Sequence, residues 1–266
     1  MVRAWWSRPW VRTTTTVVAV LVGLWIVLEL ASEETRNIAN GIFAILGAPE
    51  FVKAALIAAV PLLLAALGGL ISELSGVLNM ALEAMMLVGA FVAYAVADQS
   101  GSPWIGLAAA GVSGLVLGLV HAVFTVSLRA NQVVSAVALN LFALAATALA
   151  FRLLYINKAF QAAPGFDALW FPVLSDLPYL GVALFQHNII IYLALLLIPV
   201  MWFILYKTSW GLTLRSVGEH PMAANTVGIK VNRVRYLAIL LSGTLVGISG
   251  SALVSASGIN AFQENL

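Results

Sequence analysis

Residues 104–126, Trp104-Ile105-Gly106-Leu107-Ala108-Ala109-Ala110-Gly111-Val112-Ser113-Gly114-Leu115-Val116-Leu117-Gly118-Leu119-Val120-His121-Ala122-Val123-Phe124-Thr125-Val126, contain no acidic residue, lysine or arginine. A helix needs about 20 apolar residues to cross about 30 Å of hydrocarbon, and a soluble core helix has no use for such a run. The alternation of a lipid-facing strand is absent, so the stretch reads as a spanning helix. Gly106, Ala110, Gly114, Gly118 and Ala122 recur every fourth residue and give that helix one smooth face. Such faces let helix backbones approach where lipid supplies no hydrophobic drive. Gly243, Gly247 and Ser251 repeat the pattern near the far end of the chain, which predicts a tight helix bundle.

Composition extends this reading to the whole chain. Of its 266 residues, 62% are hydrophobic and 9% charged, and the mean hydropathy is +1.02; soluble domains carry about 25% charged residues. The fold class is therefore all-α, a polytopic transmembrane bundle. Seven spans are read, at 13–31, 51–71, 80–98, 104–126, 133–154, 188–206 and 236–254. The segment Met1 to Arg12 precedes the first, which is too long for a typical signal-peptide core and is taken as an uncleaved span. With a cytoplasmic N-terminus, the inside connectors hold Arg3, Arg8, Arg12, Arg129, Lys207, Arg215, Lys230, Arg233 and Arg235, nine of the thirteen basic residues. That is the positive-inside bias. The net charge of +2 with basic residues at helix ends, rather than along a stripe, implies no nucleic-acid partner. No cysteine is present, so thiolate metal sites and cysteine nucleophiles are excluded.

Residues 1–266 are read as one transmembrane domain with a cytoplasmic N-terminus at 1–12, an external cap at 157–187 and a cytoplasmic loop at 207–235. The cap mixes Pro164, Gly165, Pro172, Pro178 and Gly181 with Phe166, Trp170, Phe171 and Tyr179; those aromatics form either an interfacial belt or a docking surface. Pro61 and Pro199 fall inside spans and predict kinks.

The basic loop contains Glu219-His220-Pro221-Met222-Ala223-Ala224-Asn225-Thr226-Val227-Gly228. Pro221 suits a first helical turn and Gly228 a C-terminal cap, which predicts a helix over 221–227. So short a helix is not stable alone in water. It either lies in the groove of a cytoplasmic partner or tucks against the bundle. No phosphate-binding loop, His-Glu-x-x-His helix or Gly-x-Ser-x-Gly turn occurs, so any nucleotide-driven step belongs to a partner.

Two segments, Gly68-Gly69-Leu70-Ile71-Ser72-Glu73-Leu74-Ser75-Gly76-Val77-Leu78-Asn79-Met80-Ala81-Leu82-Glu83 and Leu214-Arg215-Ser216-Val217-Gly218-Glu219-His220-Pro221-Met222-Ala223-Ala224-Asn225-Thr226-Val227-Gly228-Ile229, resemble the permease subunits of bacterial ABC importers. His121-Ala122, Arg129 to Ser135 and Ala138-Leu139-Asn140 extend the likeness, and Ser72 to Glu83 places it in the nucleoside branch of the ribose and branched-chain amino-acid permeases. Two features depart from the pattern: Ala84 stands where the family commonly has glycine, and the chain stops at Leu266 where members continue, so it looks C-terminally truncated. The resemblance implies a protein of the bacterial inner membrane that works with a cytoplasmic ATPase, a second permease subunit and an external binding lipoprotein or periplasmic protein. ATP would be bound by the ATPase, and the permease itself would hold no cofactor. Glu219, His220, Pro221, Met222, Ala223, Ala224, Asn225 and Gly228 would be the coupling element.

Polar groups inside spans mark candidate pathway residues: Asn79, Glu83, His121 and Asn140, with Glu29 taken as structural. Asn79 and Glu83, four apart, are expected on one helix face. His121 is suited to a hydrogen bond with a neighbouring helix. The Asn140 carboxamide matches the edge of a nucleobase, with Phe91 or Phe142 for stacking. The competing readings are a secondary transporter or channel, for which internal repeats are expected and not detected, and a permease for a sugar or branched-chain amino acid.

Overall fold

The structure, a computed structural model, describes residues 41, 44–156, 164–172 and 174–256. The expected span at 13–31, Glu29 and the N-terminal segment lie outside the described residues. The chain divides into two compact units, residues 1–52 and 53–266, and the helices of the second form a bundle.

Among the described residues, six helices are long and apolar enough to cross a membrane: α1 (Pro49–Leu74), α2 (Leu82–Ser100), α3 (Pro103–Ala122), α4 (Gln132–Tyr155), α6 (Ile189–Lys207) and α9 (Val231–Ala256). Between them lie the short helices α5 (Leu180–Leu184), α7 (Ser209–Glu219) and α8 (Pro221–Thr226). Among the described residues the only β pairing is an isolated antiparallel bridge, Ala168 with Asn188. The chain is a multi-pass membrane protein of the all-α class.

Local chemistry sets the helix ends. Pro103 occupies the first turn of α3, where its missing N–H is not needed. Asn131 caps α4 by accepting from the amides of Val133 at 2.9 Å and Val134 at 3.3 Å, and Asn188 caps α6 through the Ile191 amide. After α3 the chain relaxes into a π-turn, Val123–Ser127, and Arg129 follows at φ 51°.

The bundle is tight, as expected, and the small-residue stripes of α3 and α9 meet. Gly114 lies against the backbone of Gly243 and Gly247, Gly118 against Ile239 and Gly243, and Gly247 against Ala110. A second stripe on the same helix faces α2, where Gly89 touches the Gly247 backbone and Gly250 that of Met86 and Ala90. A side chain at any of these positions would collide with backbone, so α2, α3 and α9 form the tightly packed centre. Both predicted intrahelical prolines are present, Pro61 in α1 and Pro199 in α6. The Ser249 hydroxyl of α9 donates to the Pro61 carbonyl at 2.6 Å.

Span boundaries shift by a few residues, and two of the shifts bear on the site. The last span begins at Val231 instead of 236, because Asn232, Arg233 and Arg235 continue the helix beyond its apolar part; arginine is a good helix former. The third begins at Leu82, so Asn79 is not helical.

Part of the 157–187 connector is ordered by aromatic contacts. Phe171 meets Phe185 and Tyr192 edge-on, and Phe166 meets Trp104 of α3. The Leu169 amide donates to the His187 carbonyl at 2.8 Å.

Candidate functional site

One end of the bundle gathers three connectors: the α1–α2 linker (residues 75–81), the α3–α4 turn and the α7–α8 element. Helix α7 was not anticipated in the basic loop, although its signal is there: Trp210, Leu214 and Val217 repeat at helical spacing. Thr208 caps it through the Gly211 amide at 3.3 Å. Leu214 and Val217 are fully buried, and Leu214 packs with Leu67, Ile71, Met201, Leu205 and Ala238.

At His220 the backbone leaves helical geometry and Pro221 starts α8. The turn closes with Ile229 N–H donating to the Ala224 carbonyl and Gly228 N–H to that of Asn225, and Gly228 takes φ 89°, which only glycine adopts without strain. Within α8, Ala224 alone is buried, Met222, Ala223 and Asn225 are exposed and Pro221 is half-buried; the flanking Glu219, His220, Val227 and Gly228 are exposed. Met222 is 84% and Val227 76% exposed. A two-turn element thus leans on the bundle through one alanine and presents apolar side chains outward. Beside it, Pro221, Met222, Asn225, Lys230, Val231 and Arg233 line a recess of 410 Å³.

The five candidate pathway residues do not converge. Asn79 is buried in the α1–α2 linker, where its Oδ1 accepts from the Ala81 amide at 3.1 Å and its Nδ2 donates to Ser242 Oγ at 3.1 Å. The expected shared helix face with Glu83 is therefore corrected: four-residue spacing places two side chains together only when both are helical, and Glu83 is exposed on the first turn of α2. His121 is fully buried with Nδ1 3.4 Å from Ser135 Oγ of α4, while its Nε2 has no hydrogen-bond partner. Phe91 is buried with Tyr94, Ala95 and Val254.

Asn140 and Glu83 do meet. With Ala84, Met86, Leu141 and Leu144 they line a cleft of 270 Å³ between α2 and α4. The Asn140 Oδ1 accepts from the Ala84 amide at 3.1 Å, and its Nδ2 donates to the Met80 carbonyl at 3.4 Å. Its carboxamide caps α2 from another helix, satisfying one of the unpaired amides of a helix start. A larger, almost wholly apolar groove of 610 Å³ lies between α3 and α4, lined by Leu117, Val120, Phe124, Val134 and Phe142 among others. Sequence reading missed Gln132, whose Oε1 accepts from the Leu78 amide at 2.8 Å, and Ser242. Nothing local marks either, because both act on residues far away in the chain.

Comparison with known proteins agrees with this architecture. The chain is 41% identical over 214 residues to the guanosine ABC transporter permease protein of Bacillus subtilis, covering 77% of this chain and 66% of that one. It is 40% identical over 210 residues to the putative glucose ABC transporter permease protein of Haloferax volcanii, covering 77% and 63%. The nucleoside ABC transporter permease protein of Lactococcus lactis is 36% identical over 208 residues, covering 76% and 66%. The chain thus spans slightly less than two thirds of the length of these relatives. No solved structure matches it. Residues 51–265 match the permease component of the branched-chain amino acid transport system, and with six apolar helices of membrane-spanning length among the described residues, the chain belongs to that permease family.

Proposed function

We propose that this protein is the inner-membrane permease subunit of an ATP-binding-cassette importer for a nucleoside-like solute. It builds the solute path together with a second permease subunit and receives solute from an external binding protein. ATP is bound and hydrolysed by a separate cytoplasmic ATPase. The observation that carries this reading is the α7–α8 element, whose short helix holds Met222 and Val227 out from the bundle. A helix of this kind docks by laying apolar side chains into a partner's groove. Its place beside the α1–α2 linker lets such a partner act on the bundle, and Glu219 to Gly228 are the coupling residues.

The test is purification of the full-length protein from its native membrane. An ATPase is expected to co-purify and to be lost on deletion of 219–228. Solute movement in vesicles without any ATPase would instead make the protein a secondary transporter. The similarity to a putative glucose permease favours sugar as the second substrate reading, and competition of guanosine uptake by glucose separates the two.

A further inference from the structure

Gly218, the penultimate residue of α7, sits directly on the α1–α2 linker. A Cβ at 218 would fall on the Leu74 carbonyl oxygen, and one at Gly76 would come within 3.3 Å of the Gly218 Cα and of the Arg235 guanidinium. Gly76 also holds φ 81°. From the first turns of α9, Arg235 Nε donates to the Ser75 carbonyl at 3.2 Å. The linker is therefore attached to both sides of the α7–α8 element, to the end of α7 and to the helix that follows α8.

Its other end is held just as firmly. Leu78 N–H donates to Gln132 on α4, Asn79 bonds Ser242 on α9, and Asn140 bonds the Met80 carbonyl and the Ala84 amide. Where α1 runs into the linker, Ser72 Oγ donates to the Val77 carbonyl at 2.8 Å and Ser75 Oγ to the Ser72 carbonyl at 2.6 Å. These bonds make residues 72–81 a braced piece of backbone rather than a slack loop. Backbone in direct contact cannot be compressed, so a displacement of Gly218 must be taken up by Leu74 to Gly76.

We propose that residues 75–81 are the arm that carries movement of the α7–α8 element to the α2–α4 cleft, with Gly218 and Arg235 as the positioning residues that engage it. The inference rests on the coupling role proposed for that element. It requires a contiguous linkage between the two places and a readout at each.

The chain contains no cysteine, so a Glu83→Cys substitution places a single thiol at the cleft. The full-length permease assembled with its ATPase is labelled with a maleimide, with and without nucleotide trapped by vanadate after hydrolysis, and the label is read by mass on the peptide that carries residue 83. The labelling rate is expected to change between the two states. Adding Gly218→Ala or Arg235→Met should shrink that change about fivefold or more, the lower range of couplings between sites, while the ATPase stays bound and hydrolyses ATP. Should Gly218→Ala fail to fold, Arg235→Met, which adds no bulk, carries the test alone. A nucleotide-dependent change of full size in the folded variants overturns the proposal, as does its absence in the Glu83→Cys complex during ATP turnover. If no ATPase assembles even with Glu83→Cys alone, the coupling reading itself has failed.

Discussion

Asn140 on α4 accepts a hydrogen bond from the backbone amide of Ala84 in the first turn of α2, 3.1 Å away. The side chain that sequence reading offered as a candidate for solute is a helix cap supplied from a neighbouring element. The two roles make different demands on substitution.

Asn140→Leu should destabilise the folded protein by about 1 kcal/mol, the usual effect of losing a cap. Asn140→Asp keeps an acceptor for Ala84 but loses the donor to the Met80 carbonyl, and should recover part of that loss. Melting in detergent measures both. Solute uptake that follows stability across the pair would assign Asn140 to the cap alone; uptake lost in the stable Asp variant would assign it to the pathway as well.

Gly247→Leu should abolish the monodisperse folded protein. Ordinary overpacking costs about 1–3 kcal/mol, but here the added atoms meet the backbone of Ala110 and Gly114, which cannot rotate aside. Val112→Leu, on the 61% exposed face of α3, should elute and melt unchanged in the same size-exclusion and thermal assays.

Met222→Asp should weaken ATPase retention about tenfold or more, as truncation of a central interface residue does. Because Met222 touches little of the bundle, its stability should move by less than about 0.5 kcal/mol. Pull-down and melting of the same preparation check the two halves. A variant that retains the ATPase fully would remove Met222 from the docking surface.

Ser249→Ala should cost about 0.6 kcal/mol and at most about 1.7 kcal/mol, the average and the upper value for hydrogen bonds between helices in membranes, because it removes the bond that ties α9 to the Pro61 carbonyl of α1. Ser113→Ala serves as the comparison, since its hydroxyl bonds the Ala110 carbonyl of its own helix. A larger loss for Ser113 than for Ser249 in thermal melting would contradict this account.

The primary sequence was sufficient for the elements and their faces. Hydrophobic run length marked α1, α2, α3, α4, α6 and α9, and the fourfold recurrence of Gly106 to Ala122 and of Gly243 to Ser251 marked the surfaces that meet. Pro221 and Gly228 bounded α8. These features are legible because helix length, periodicity and end chemistry depend on residues within a few positions of one another. Tertiary structure alone decided which distant groups share a site. It put Asn79 under Ser242 instead of beside Glu83, set Asn140 on the Ala84 amide of α2, buried Phe91 with Tyr94 and Val254, and seated Gly218 on Leu74 and Gly76. Those pairings follow from how helices far apart in the chain dock. Contact across such a separation is fixed by the packing of whole faces, and no local pattern encodes it.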